Sequence, residues 1–428
     1  MKYFSTLNKN EIVSFKDAVL NGTAKNGGLF LPFNIPSINF TDESNYHELA
    51  FNVLKNFTNE DLTESELHEI IINTFNFPVK IASFENEHFL ELFHGPTLAF
   101  KDFGARFLAN LIEKFNKDSD SKLNILVATS GDTGSAVANA FYEREGVNVI
   151  VLYPSKGVSD IQEKQISTYD KNIISIEVEG SFDDCQALLK HALNDEPIKN
   201  EFKLTTANSI NIARLLPQTI YYFEALRQLK LQGKTLVTVP SGNLGNLTAG
   251  ILSKLMGQKI DGFISAVNKN DFFQKYLETG NEARQKTIKT FSNAMDVGLP
   301  NNLNRIKSIY NSDRQKMNEF IDCYSVDDTT TIETIKKIYD KLQYVADPHT
   351  AVGYQASQFK KSAYDNSIIL STAHPAKFKD VIEKTLKLEV ELPEQLSRLI
   401  NKEKRSIKIK NDYKRFIELL RDNSSLLK

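Results

Sequence analysis

The residues best suited to chemistry gather around one lysine. Lys101 lies inside the run His-Gly-Pro-Thr-Leu-Ala-Phe-Lys-Asp-Phe-Gly-Ala-Arg-Phe, residues 94–107. Gly95 and Pro96 are turn residues, and Phe103, Phe107 and Leu111 then recur at helical spacing, so the pattern predicts Lys101 at a loop-to-helix junction. Burial beside Phe100 and Phe103 disfavours an ammonium, and the positive end of a helix dipole repels it. A lysine that is neutral at working pH is a nucleophile whose natural product with a carbonyl is a Schiff base. The alternative for such a residue is a side chain that snorkels from a helix start into water.

Two further stretches have the form strand, glycine loop, helix. Leu123–Ala128 runs into Thr129-Ser130-Gly131-Asp132-Thr133-Gly134, and Thr235–Val239 runs into Pro240-Ser241-Gly242-Asn243-Leu244-Gly245-Asn246. Glycines let the backbone turn tightly and turn N–H groups toward whatever lies beyond the strand, a geometry that binds a phosphate or a carboxylate. Neither loop is closed by Gly-Lys-Ser/Thr and neither is GxGxxG, which argues against ATP and dinucleotides. A third strand end, Leu370-Ser371-Thr372-Ala373-His374-Pro375, offers hydroxyls that either meet a ring nitrogen or cap a helix. Arg106 and Arg214 stand near these loops and either clamp an oxyanion or serve structural ion pairs. His94, His349 and His374 lie in turn-rich segments, where a structural role is the default reading, and the seven histidines show no metal-binding spacing.

These groups need a scaffold that brings strand ends together. Short β-branched runs at 123–128, 147–152, 173–178, 235–239, 263–267 and 367–370 alternate with amphipathic helices, which predicts parallel sheet in an α/β protein. A pause at 197–209 marks a change of lobe. Residues 1–80 read as a mostly helical opening, with helices around 46–54 and 64–75 and one buried extended piece at Leu29–Pro32. The last fifty residues, rich in Lys and Glu, read as a solvated helical wrap. With 41% hydrophobic and 25% charged residues the composition is that of a globular protein. A net charge of -2 gives no electrostatic case for nucleic acid or membrane as partner, leaving a small molecule. Cys185 and Cys323 are far apart, without CxxC spacing, and the N-terminus lacks a signal-peptide pattern; together they predict a cytosolic protein without structural zinc.

Taken together, the motifs resemble the pyridoxal-phosphate enzymes of the tryptophan-synthase-like fold, and within them the threonine synthases of the longer microbial branch. The resemblance rests on Ser14-Phe15…Ala18-Val19-Leu20…Gly27-Gly28-Leu29-Phe30-Leu31-Pro32, HGPTLAFKDFG, SGDTGSA, Asn208-Ser209-Ile210-Asn211-Ile212-Ala213-Arg214 and STAHPAKF, and spans the chain. It implies an N-terminal domain over 1–80 and a catalytic region over 81–428, with lobes of roughly 95–225 and 226–428. It implies pyridoxal 5'-phosphate as cofactor, carried by Lys101 as an internal aldimine, with the same lysine acting as base. Gly242, Asn243, Leu244, Gly245 and Asn246 match the loop that holds the cofactor phosphate. Asp132 matches a position beside the ring hydroxyl where related enzymes place an Asn. Thr372, with Ser371 as second choice, matches the residue at the pyridine nitrogen. Thr129, Ser130, Gly131 and Thr133 match the loop for the substrate carboxylate, and Arg106, Asn208, Ser209 and Arg214 are candidates for the substrate phosphate. The implied reaction converts O-phospho-L-homoserine and water to L-threonine and phosphate. Its rivals are a serine or threonine dehydratase of the same fold and a catalytically silent binding protein. Leu244 and Ile212 depart from the family pattern, which has Phe and often Trp there, and both read as packing changes.

Overall fold

The computed structural model describes residues 1–38, 45–119 and 121–427. Two sheets organise the chain. The first has strands Ile407–Lys410, Ile173–Glu179, Val147–Pro154, Leu123–Ala128 and Leu204–Thr206 in that spatial order, all parallel. The second has Ile321–Ser325, Gly262–Val267, Thr235–Pro240, Asn366–Ser371, Glu87–Glu91 and Lys80–Phe84, parallel except for the edge strand Lys80–Phe84. All eight residues of Val147–Pro154 are buried, as are all six of Thr235–Pro240, as expected of central parallel strands covered on both faces by helices.

The strands read from β-branched runs are present, but their sheet partners come from distant parts of the chain. Lys80–Phe84 and Glu87–Glu91 precede the first sheet in sequence yet belong to the second, while Ile407–Lys410 returns from the C-terminus to the first. A cut near residue 225 therefore does not separate the two sheets. The tail is likewise more than a solvated wrap. Phe416, Leu419 and Leu420 of helix Tyr413–Asp422 pack with Ile176, Val178, Cys185 and Leu188, and Asn124 Nδ2 donates to Leu427 O at 2.9 Å. Its charged residues occupy the outer face of the helix and hid the apolar one.

The N-terminal region pairs helices with a three-stranded antiparallel sheet, Asn8–Val13, Tyr3–Ser5 and Phe30–Pro32, of which only the last is visible as a hydrophobic run. Its helices are locally specified. Asn45 with Glu48 and Thr63 with Glu66 form capping boxes at the starts of Tyr46–Thr58 and Glu64–Thr74. The region is fastened near the sheet ends, where Asn211 Nδ2 donates to Val19 O at 2.8 Å and Thr205 Oγ1 to Leu20 O at 2.7 Å. Among the described residues no helix is long and apolar enough to cross a membrane.

The buried Phe416 gives a direct test of the C-terminal packing. Phe416→Ala should lower stability by about 3–5 kcal/mol, the usual range for emptying a phenylalanine site, read as a lower midpoint in urea. A solvated wrap would instead leave the midpoint within ~0.5 kcal/mol of the parent.

Candidate active site

Strands Leu123–Ala128, Thr235–Pro240 and Asn366–Ser371 end at one cavity, the place where parallel α/β sheets bind ligands. Its walls include Lys101, Asp132, Ser209, Arg214, the loop Gly242–Asn246 and Thr372. Sequence reading thus brought most of its candidates to one place.

Lys101 is the first residue of helix Lys101–Asn116, which no side chain caps. Its Nζ lies 4.7 Å from the centre of the Phe100 ring. Burial, the Arg214 charge and the Lys377 charge lower its pKa to about 8, with Asp132 pulling the other way. Burial thus acts as the sequence suggested, but the neighbouring cation Arg214 joins it.

The loop Gly242–Asn246 leads from a strand end into a helix. Helix Gly245–Leu255 starts there without a side-chain cap, so its first N–H groups face the cavity end of the loop. A side chain at Gly242 would meet Met295 Cα at 2.8 Å and Ala294 O at 2.9 Å, so only glycine passes beneath the segment that closes the site. Asn246 Oδ1 accepts from the hydroxyls of Tyr221 and Tyr222, each at 2.7 Å, and this fixes the amide. Its Nδ2 is then left buried without a partner. Asn243 braces the loop instead, with Nδ2 donating to Ser209 Oγ at 2.6 Å and Oδ1 accepting from Asn301 N at 2.6 Å.

The loop at 129–133 is built by Thr129, whose Oγ1 accepts from the N–H groups of Gly131 at 2.9 Å and Gly134 at 2.8 Å. Gly131 has φ of +145°, and a Cβ there would sit 2.6 Å from the Gln162 amide. Ser130 and Thr133 are half-buried on the same turn and, like Thr129 and Gly131, do not line the cavity itself. Asn208 is set behind Ser209, with a buried Oδ1 that lacks a partner.

The two arginine candidates separate. Arg214 is 1% exposed, donates to Ala207 O at 2.5 Å, and has a buried Nε without a partner; no carboxylate among the described residues pairs with it. Burial lowers its pKa to about 10, and Asp102 partly restores it. Arg106 turns away, donating to Thr74 O at 3.0 Å, Asn73 O at 2.5 Å and Asn76 Oδ1 at 3.0 Å, where it closes the end of helix Glu64–Thr74. It is a clamp on the N-terminal region and does not reach the cavity. Ser371 and Thr372 separate as well. Ser371 Oγ is 2.8 Å from Thr350 Oγ1 and 3.2 Å from Tyr344 OH, behind the wall, whereas Thr372 lines the cavity.

His349, read from the sequence as structural, lines the cavity, and Arg305 and Lys377, which no motif singled out for a role, sit behind its walls. Arg305, fully buried, donates to Phe30 O at 3.0 Å, Ile210 O at 2.6 Å and Asn302 Oδ1 at 2.7 Å, and Asn302 in turn donates to Asn243 O at 2.9 Å. His349 Nε2 accepts from Ala294 N at 3.2 Å, so Nδ1 carries the proton donated to Asp347 at 2.6 Å. Lys377, fully buried, lies 2.6 Å from Asp132. The Asp-Pro-His order at 347–349 was a readable helix-start signal, but nothing in one sequence marks Arg305 or Lys377.

Acylation of Lys101 by an amine-reactive probe in the unliganded protein should rise through a half-point near pH 8 instead of 10.5. R214Q removes one of the lowering charges and should move that half-point upward, as mass spectrometry of the labelled peptide would show. A wild-type half-point at the ordinary lysine value would contradict the burial of this amine.

Comparison with known proteins shows the family. Residues 89–372 match the family described as pyridoxal-phosphate dependent enzyme. Residues 2–75 match the threonine synthase N terminus, and residues 350–419 the threonine synthase C-terminal region. Threonine synthase of Buchnera aphidicola subsp. Acyrthosiphon pisum is 44% identical over 410 residues, covering 94% of this chain and 95% of that protein. The Escherichia coli enzyme is 42% identical over 405 residues, covering 93% and 94%. The crystal structure of threonine synthase from Escherichia coli superposes with a TM-score of 0.94 at 39% identity, covering 99% of this chain and 100% of that one. A threonine synthase from Brucella melitensis, described as bound to pyridoxal phosphate, gives 0.91 at 31% identity, covering 99% of each chain. With its N-terminal region, catalytic region and C-terminal region all matched, the chain belongs to the threonine synthase family of pyridoxal-phosphate-dependent enzymes.

Proposed function

We propose that the cavity around Lys101 binds pyridoxal 5'-phosphate and O-phospho-L-homoserine and, with water, yields L-threonine and phosphate. The observation that carries this reading is the meeting of an amine of lowered pKa, an uncapped helix start and an unpaired buried guanidinium in one cavity. We also read residues 1–80 as the N-terminal domain and 81–428 as the catalytic region.

The residues present suit the cofactor. The N–H groups at Gly245 and Asn246, with the free Asn246 Nδ2, suit a phosphate, and Gly242 lets the loop pass close beneath Ala294 and Met295, where a side chain would collide. Thr372 supplies a hydroxyl for a ring nitrogen, and it neither adds nor removes charge there. Lys101 supplies the amine that joins the cofactor carbonyl. When bound, pyridoxal phosphate acts as an electron sink for an amino-acid substrate.

The chain's own groups then have distinct tasks. Lys101 Nζ, with a pKa of about 8, can hold or give up a proton near neutral pH and so moves protons on the substrate carbons. We read the turn Thr129–Thr133, which sits behind the cavity wall at Asp132, as the loop for the substrate carboxylate. Arg214, with Ser209 and Asn208 beside it, suits the second phosphate, since a guanidinium without a carboxylate partner gains most from an oxyanion. The segment carrying Ala294 and Met295 covers the cavity and limits water to what the reaction consumes.

Incubation with O-phospho-L-homoserine should give threonine and phosphate in equal amounts. Formation of keto acid and ammonia from serine or threonine, with phosphohomoserine untouched, would move the chain to the dehydratases. Lys101→Ala should lower kcat by about three orders of magnitude or more, as loss of a covalent catalyst does. R214Q should raise KM for the phosphorylated substrate about 10- to 100-fold, the loss expected for one hydrogen bond to a charged group.

A further inference from the structure

Lys377 is a fully buried cation that the functional reading above leaves without a task. Its Nζ lies 2.6 Å from Asp132 Oδ1 and donates to Thr97 O at 3.0 Å. Thr97 belongs to the loop that delivers Lys101, and Asp132 opens the helix after the other glycine loop. The Lys377 carbonyl also accepts from Ser159 Oγ at 3.1 Å. One side chain therefore bridges the two loops that face each other across the cavity.

The Asp132 end of the pair is held from two sides. Oδ1 receives Lys377 and also Gln162 Nε2 at 3.1 Å. Gln162 is itself fixed, because its Oε1 accepts from Ser159 N at 3.1 Å and Asn293 Nδ2 at 3.0 Å. No donor among the described residues reaches Oδ2, although Asp132 is 3% exposed and lines the cavity with Lys101.

We propose that Lys377 is a positioning residue: its buried ammonium clamps Asp132 by Oδ1 and leaves Oδ2 in the cavity as a charged acceptor for a hydroxyl of the bound group. This rests on the reading of the cavity as a pyridoxal-phosphate site, where the ring hydroxyl is that donor. An ionised carboxylate only accepts hydrogen bonds, whereas a protonated one also donates. The clamp thus decides the direction of the hydrogen bond and keeps the proton on the ligand hydroxyl. Without Lys377, a carboxyl this deeply buried takes up a proton and reverses that bond.

The surrounding charges agree with this role. Burial pushes the Asp132 carboxyl up, but the charge and hydrogen bond of Lys377, with the hydrogen bond from Gln162, hold the group below the ordinary carboxylate value. Lys101 faces Asp132 across the cavity, and Asp102 lies beyond Thr97, whose hydroxyl it accepts at 2.6 Å. Asp102 thus feels the Lys377 charge but takes its hydrogen bonds from Thr97, leaving the ammonium on Asp132.

The test compares wild type, K377M and the double variant D132N/K377M, in cofactor-free protein and with pyridoxal phosphate bound. In K377M the folded-state pKa of Asp132 rises above its unfolded value of about 3.9. Its stabilising protonated form is then lost as pH rises, so the thermal midpoint of cofactor-free K377M should fall between pH 5 and pH 7 relative to wild type. The double variant, with neither charge left unpaired, should fold and show no such fall. With cofactor bound, K377M should show a pH-dependent change in the cofactor absorbance over the same window, and the double variant should not. We expect kcat to drop about 100-fold in K377M, the scale for losing one oriented electrostatic contact, and to recover at least in part in the double variant. If K377M itself fails to fold, wild type against the double variant carries the spectral comparison, and failure of the double variant to fold overturns the charge-pair account. A common pH profile for K377M and the double variant also overturns it. So does a changed stability profile with unchanged spectrum and kcat, which would make the pair structural. If wild type binds no pyridoxal phosphate, the functional reading fails, while the cofactor-free stability comparison still judges the clamp.

Discussion

Uncompensated positive charge in a buried cavity is the constraint on which this structure turns. Lys101 and Arg214 face the cavity, with Lys377 and Arg305 directly behind its walls, and among the described residues Asp132 is the one carboxylate lining it. Burial alone holds Arg305 down to about 9, and Arg214 sits at about 10. Leaving ions so far from water is expensive unless hydrogen bonds replace the lost hydration. The fold replaces it with carbonyls, three acceptors for Arg305 and Ala207 O for Arg214. What carbonyls do not supply is negative charge. A ligand bringing phosphate and carboxylate groups removes that deficit, and its binding therefore stabilises the folded state as well as filling the site.

The same constraint explains why the N-terminal region is fastened where it is. Arg305 spans Phe30, Ile210 and Asn302, and Asn302 supports the Asn243 carbonyl of the loop at 242–246. A buried guanidinium needs acceptors in several directions, and here they come from three separate parts of the chain. The N-terminal sheet thus braces the loop at 242–246 through Arg305 and Asn302. Arg106 repeats the device on another side, closing helix Glu64–Thr74 from helix Lys101–Asn116.

What could be read from residues alone follows from locality. The parallel strands were visible because each buries both faces, which leaves an unbroken β-branched run, and the glycine loops were visible because a tight turn at a strand end needs them. Lys101 was visible through the turn before it and the helical spacing after it. Arg106 misled for a simple reason: five residues along a helix is about 140° of rotation, so a residue there faces away from one at the helix start. Ser371 and Thr372 are adjacent, and at a strand end neighbours point to opposite sides, so only one of the two could line the cavity. Lys377 and Arg305 were not legible because their roles depend on partners far away in sequence. The C-terminal strand was hidden by its lysines, since Ile407–Lys410 at a sheet edge buries only Ile409.

Two leucines show how the fold keeps the cavity rigid before a ligand arrives. Leu98 and Leu244 both have positive φ, +59° and +57°, in the loop that delivers Lys101 and the loop at 242–246. For a residue with a Cβ that conformation is unfavourable by about 1–2 kcal/mol, and glycine would relieve it. Both side chains are nevertheless buried, Leu98 beside Ala373 and Ala376 and Leu244 in the main core. Glycine would remove the strain but also the anchor, and the loop would then have to be ordered by the ligand itself. Burying a leucine contributes about 1.5–3 kcal/mol, enough to offset the strain and hold the turn. The position therefore requires apolar bulk more than a particular shape. Anchoring at these two turns holds the helix starts and the Lys101 amine toward one another, and binding energy that a loose loop would consume in ordering is kept.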